Sequence, residues 1–125
     1  MNAKEELEPV LRELLHAIRS GDAEKYTQMS SPELTCFEPE TQGSRVDGLD
    51  FHLFFMNNQN PSNFYFEIVN PVYRIEGNLG YAVYTLIDNR VSDTGFDLKQ
   101  VNETRIFEKL NGKWIMIHFH RSHTN

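Results

Sequence analysis

The chain has a single cysteine, Cys36, so no disulfide can close within it. A reducing compartment is the expectation that follows. Taken alone, Cys36 reads as a small buried hydrophobe on a strand. No apolar run nears the roughly 18 residues that a membrane-spanning helix needs. The opening residues, MNAKEELEPV, are acidic and helical, which reads against a signal peptide. A cytoplasmic protein is therefore expected. Positive charge is also scarce, with 12 Lys and Arg against 18 Asp and Glu and a net charge of −6. Nucleic acid and anionic membrane surfaces select basic stripes, so neither is an expected partner. Internal repeats and low-complexity segments are missing as well.

Aromatic residues, by contrast, are plentiful: 15 in all, nine of them Phe. A chain of 125 residues buries roughly two-thirds of its unfolded surface, enough for one domain spanning 1–125 with a real core. Leu7, Leu11, Leu14, Leu15 and Ile18 recur at helical spacing and predict an amphipathic helix over 4–19. Pro9 is tolerated near a first turn, so the regular helix is expected to begin close to it. Ser20-Gly21-Asp22 ends that helix and caps a short second one, 23–29. A short strand over 34–38, a turn over 39–43 and a return strand at Val46 follow. A third helix, 49–58, is apolar nearly all round and is expected to be well buried.

Four long strands come next, over 64–75, 81–91, 96–110 and 113–122. The first is bent at Asn70-Pro71, because proline cannot donate to a central ladder. Asn111-Gly112 is a strong two-residue hairpin signal, since both positions tolerate positive φ. Strict alternation on the last strand puts Ile115, Ile117, Phe119 and Arg121 on one face. Trp114, Met116, His118 and His120 fall on the other. Neither face is polar, which predicts a cavity on one side and an assembly contact on the other. Strands that follow one another without helices pair antiparallel. The order predicts an α+β fold: three N-terminal helices packed on a curved, mostly antiparallel sheet, with a hollow between them.

That order resembles the nuclear transport factor 2-like cone fold, shared by ketosteroid isomerase, polyketide cyclases and SnoaL-like proteins. LTCFEPETQGSRVDGLDFHLFFMNN (34–58) and ETRIFEKLNGKWIMIHFHRS (103–122) narrow it further. They resemble the association (hub) domain of calcium/calmodulin-dependent protein kinase II. FEPE, GLDFH, NP, ETR, GKW and HFHRS occur in that family's order and near its spacing. Glycine-rich, catalytic-loop and DFG motifs of a kinase do not occur, so the chain looks like a stand-alone relative without kinase activity. The resemblance implies self-assembly by sheet-to-sheet and lateral contacts. It also implies a deep pocket for small carboxylates, with Arg105, Arg121 and His52 at the family's pocket positions. A third pocket arginine falls at Thr85 and the loop tryptophan near Asn60, which predicts a less basic pocket.

Read as chemistry, Arg105 and Arg121 offer forked, permanent donors suited to a carboxylate. The competing reading is a structural ion pair with Glu38, Glu40 or Glu103. His52 is either a satisfied core residue or a neutral imidazole that orients an acid. Glu38, Glu40 and Asp88 are candidates for an isomerase base, against a paired Glu38 and an exposed Asp88. Tyr65, Tyr73, Tyr81 and Tyr84 offer hydroxyls but also pack as strand aromatics. His118, His120 and His123 lack an acidic or thiolate companion at ligand spacing, so neither metal nor cofactor is expected. The ligand set expected is Arg105, Arg121, His52, Glu38 and Tyr84. The expected function is an oligomeric association domain, at least a homodimer, with a small-anion pocket. The alternatives are an isomerase, dehydratase or hydrolase of the ketosteroid isomerase type, or a scaffold for a protein partner.

Overall fold

A computed structural model describes residues 1–59 and 63–124 of the chain; Asn60 lies outside the described residues. The first helix, α1 (Ala3–Ser20), is capped by Asn2, whose side-chain oxygen accepts from the Glu5 N–H at 2.8 Å. It therefore starts well before Pro9 rather than beside it. Pro9 sits on the solvent side, where water can satisfy the Glu5 carbonyl that the proline leaves without a donor. On the opposite side Leu7, Leu11, Leu14 and Leu15 are fully buried. Each such leucine contributes about 1.5–3 kcal/mol. A Cβ at position 80 would lie 3.1 Å from Leu7 Cδ1, so Gly80 is what lets α1 settle onto the sheet.

Asp22 caps α2 (Ala23–Met29), accepting from the Lys25 N–H at 3.0 Å. Then come β1 (Ser30–Phe37), a 3-10 turn (Pro39–Thr41), β2 (Val46–Asp47) and α3 (Asp50–Asn58). The long strands are β3 (Asn63–Glu76), β4 (Leu79–Ser92), β5 (Gly95–Leu110) and β6 (Lys113–His123). They form one six-stranded sheet in the order β2-β1-β6-β5-β4-β3. Every pairing is antiparallel except β1 with β6, which is parallel. The expected α+β arrangement, helices against a mostly antiparallel sheet, is the one that forms. Asn111 and Gly112 both take positive φ, 52° and 79°, a conformation both residues tolerate and the β5–β6 hairpin turn requires. Among the described residues no helix is long and apolar enough to cross a membrane.

Two bulges set which side chains face inward. Asn70 and Pro71 together oppose one residue of β4, with Asn70 at φ 52°, and this is the bend expected there. The second was not expected. Ile106 pairs with His118 but Phe107 pairs with Met116, so Ile117 is one extra residue in β6. The bulge breaks the alternation. Trp114 and Met116 face the core with Phe119 and Arg121, while His118 and His120 turn to the outer face. The two faces inferred from strict alternation are therefore wrong below Ile117, because a bulge adds a residue without adding a pair.

α3 also departs from expectation. Met56 alone is buried on it, while Phe54 and Phe55 remain 67% and 52% exposed. A helix at the rim of a sheet can cover only one of its own faces. Among the described residues nothing covers its second apolar face.

Candidate functional site

The inner ends of β4, β5 and β6, the end of α1 and α3 enclose a cavity of about 520 Å³. At its base Glu103 on β5 is fully buried and lies opposite Tyr84 on β4 and Arg121 on β6. That register brings three donors to one carboxylate. Tyr84 Oη donates to Glu103 Oε1 at 2.5 Å, and Arg105 donates to the same oxygen through Nη2 at 3.1 Å and Nε at 3.2 Å. Arg121 Nε donates to Oε2 at 2.8 Å. Arg105 is 2% exposed, its guanidinium stacked 4.5 Å from the Phe119 ring centre.

Burial alone would raise the Glu103 pKa, but the charges of Arg105 and Arg121 outweigh it and hold the carboxyl at about 2. Burial pulls Arg105 down and Glu103 more than restores it, leaving that guanidinium above its ordinary value. Tyr84 is pushed well up by burial and by the neighbouring Glu103 charge, so it stays a donor.

From this base the network climbs toward the mouth. Arg121 Nη1 donates to Glu38 Oε1 at 3.1 Å and to both oxygens of Glu40, at 2.8 and 3.1 Å. Burial lowers the Arg121 pKa, but Glu103 and Glu40 outweigh it and raise it overall. Glu40 is the outermost member, 40% exposed. Glu38 Oε2 meets His52 Nε2 at 2.7 Å and the Cys36 thiol at 3.4 Å. Burial would raise the Glu38 pKa, and the contact with His52 and the charge of Arg121 overcome it and hold it low. Burial and the Glu38 charge push the Cys36 thiol up to about 12, so it is no nucleophile. On the facing wall Asp88 Oδ2 pairs with Arg19 Nε at 3.0 Å. Arg90 Nε lies 3.8 Å from the same oxygen, and Arg90 Nη2 reaches the Arg19 carbonyl at 3.2 Å.

The structure brings Arg105, Arg121, His52 and Glu38 together around the cavity. Tyr84 stands behind its wall, bonded to Glu103 and Arg105. The ion-pair reading of both arginines holds, since each is engaged by a carboxylate of this chain. Asp88 is buried rather than exposed. Thr85 points to the outer face and bonds Asn102, away from the cavity. Arg19 and Arg90, neither of them anticipated, line it instead. Four guanidiniums (Arg19, Arg90, Arg105, Arg121) thus meet four carboxylates (Glu38, Glu40, Asp88, Glu103). Tyr26 was also missed as a wall residue. Of the three histidines tested as a metal cluster, His118 Nδ1 pairs with Thr35 Oγ1 at 2.7 Å, and His120 stacks near Phe37. Cys36 and Glu38 are two residues apart on one side of the chain, and that spacing was the overlooked signal that they converge with His52.

Comparison with known proteins bears on this arrangement. The family model for the calcium/calmodulin dependent protein kinase II association domain matches residues 3–125. The calcium/calmodulin-dependent protein kinase type II subunit delta of Oryctolagus cuniculus is 37% identical over 124 residues, covering 95% of this chain. The chain spans only 23% of the length of that relative. Among solved structures, the CamKII hub homology domain of Chlamydomonas reinhardtii superposes with a TM-score of 0.91 at 33% identity, covering 99% of this chain and 100% of its own. A nuclear transport factor 2-like protein of Salmonella enterica superposes with a TM-score of 0.80 at 20% identity, covering 98% and 92%, which shows a shared fold.

Proposed function

Because this chain belongs to the calcium/calmodulin-dependent protein kinase II association-domain family, we propose that residues 1–125 act as one self-associating cytoplasmic domain whose cavity takes a small carboxylate. The outer face of the sheet carries the first half of this reading. Val72 on β3 and Tyr81 and Val83 on β4 are exposed there, continuous with Ile106 on β5 and Ile115 on β6. A contiguous apolar sheet face is a poor solvent surface and a good isologous contact. Phe96 and Leu98 at the β4–β5 tip, opposite Val91 and Asn89, extend that same face, while Phe54 and Phe55 on α3 are exposed apolar groups away from it. These two suit the lateral contacts of a larger assembly. Sedimentation of the purified chain tests this. A dimer or larger particle is expected, and Val83→Glu should shift it toward monomer. A wild-type monomer at tens of micromolar would refute the reading.

Arg121 carries the second half. Its Nη1 reaches the cavity mouth, where the exposed Glu40 carboxylate already holds it bidentately. Glu40 stands where an incoming carboxylate would sit. An acid ligand binds by displacing Glu40, which swings to solvent, while Glu38 and Glu103 keep Arg121 in place. Glu40→Gln should therefore tighten binding of small monocarboxylates by about tenfold, the ratio that about 1.4 kcal/mol provides. Arg121→Gln should abolish it. Thermal shift against acetate, butyrate and hydroxy-acids reads both. No shift in either wild type or Glu40→Gln would reject the anion site.

One observation favours the isomerase alternative. Among the described residues Asp88 Oδ1 is buried at the cavity wall without a hydrogen-bond partner, which leaves it able to accept a proton from a bound substrate. Deuterium exchange next to the carbonyl of small ketones, followed by NMR, tests it; no exchange above the Asp88→Asn background would exclude it.

A further inference from the structure

Cys36 is used by neither reading, and it meets Glu38 and His52 of the cavity wall. Cys36 Sγ, Glu38 Oε2 and His52 Nε2 all lie within 4.8 Å of one another, at separations of 3.4, 3.6 and 2.7 Å for S–O, S–N and N–O. A tetrahedral zinc ion with ordinary bond lengths would hold such a set at about 3.5, 3.6 and 3.3 Å. Two of the three edges therefore already match. The third needs the imidazole and carboxylate to part by about 0.6 Å, which ion insertion would do. The short N–O distance is that of the hydrogen bond that occupies the gap without an ion.

The surroundings fit a bound cation. Glu38 Oε1 is held by Arg121 Nη1 at 3.1 Å, which leaves Oε2 free to ligate and fixes its direction, as outer partners of metal carboxylates do. Thiolate and carboxylate together cancel a divalent charge, so the buried site would be neutral. Glu38 and His52 also line the cavity, which gives water access to a fourth position. Tyr26 packs beside them, 1% exposed, with its ring 5.8 Å from that of His52.

We infer that Cys36, Glu38 and His52 form a binding site for a thiophilic divalent cation of the zinc class, with the fourth position open to the cavity. On binding, the Cys36 thiol gives its proton to solvent and the His52 proton moves to Nδ1, leaving Nε2 to ligate. The site needs no small-acid ligand, and Glu38 joins it to the anion pocket through Arg121.

Cobalt(II) tests it directly. The full chain is stripped with chelator, dialysed and titrated with Co²⁺ while its absorption is recorded. The expected result is a near-ultraviolet thiolate-to-cobalt band with visible bands of tetrahedral type, saturating at one equivalent. Cys36 is the only thiol in the chain, so such a band has one source. Zn²⁺ should bleach it, since zinc binds such sites more tightly than cobalt. Cys36→Ser should remove the band and weaken Zn²⁺ binding by at least about 100-fold, with His52→Gln weakening it as well. Absence of the thiolate band in the wild type overturns the inference whatever the variants do. So does Zn²⁺ affinity that survives Cys36→Ser, which would place the ion elsewhere.

Discussion

Replacing Glu103 by Gln removes the anion on which the buried network rests. The side chain is fully buried and accepts from Tyr84, Arg105 and Arg121. Glutamine keeps the shape but leaves the Arg105 guanidinium, also buried, without its countercharge. Breaking a buried pair from one side costs about 3–5 kcal/mol, because the surviving charge stays desolvated. A second route gives a similar size. The Glu103 carboxyl falls from an ordinary 4.5 to about 2 on folding, a difference worth about 3 kcal/mol at neutral pH. Because the folded value is depressed, that stability is present above pH 4.5 and is lost as pH falls through about 2. The assay is urea unfolding at fixed protein concentration, read by the fluorescence of the single tryptophan, Trp114, which is buried in the core. The variant should lose about 3 kcal/mol at pH 7, and its stability should fall less steeply between pH 4.5 and pH 2. A loss under about 1 kcal/mol, with an acid slope matching wild type, would refute the reasoning.

Leu11→Ala, at a fully buried position of α1, should cost about 2–5 kcal/mol in the same unfolding assay. Gly112→Ala places a Cβ at φ 79° in the β5–β6 turn and should cost about 1 kcal/mol, with an unchanged circular dichroism spectrum. Trp114→Phe deletes the indole donor that meets Glu6 Oε1 at 2.9 Å, and a loss of about 1 kcal/mol is expected from thermal unfolding. Phe54→Ser should leave monomer stability within about 0.5 kcal/mol, since the ring is exposed, yet reduce particle size in sedimentation.

The helical spacing of Leu7 to Ile18, the Gly21-Asp22 stop and the Asn111-Gly112 turn located α1, α2 and the last hairpin, because each rests on local chemistry. Site residues were legible where a resemblance marked them, as with Arg105, Arg121 and His52. What sequence could not show was parity and partnership. Nothing near Ile117 announces a bulge, since isoleucine suits a regular strand as well. Arg19 and Asp88 lie on α1 and β4, far apart in sequence, and only the packed fold makes them a pair. The apolar run of α3 was seen, but its meaning was misjudged: lack of a polar face signals burial only when some neighbour covers it, and here two phenylalanines face outward.

The extra residue at Ile117 makes the end of β6 depend on counting rather than on composition. The Trp114–Lys109 and Met116–Phe107 pairs anchor the strand before it. Were Ile117 to pair with Ile106 in regular alternation, those pairs would stay intact and every later residue would shift to the opposite side. His120 would then enter the cavity in place of Arg121, Glu103 would lose its second guanidinium, and a permanent cation would give way to a titratable one. A one-residue slip in register, with no change in sequence, would thus exchange the electrostatics of the cavity with those of the outer sheet.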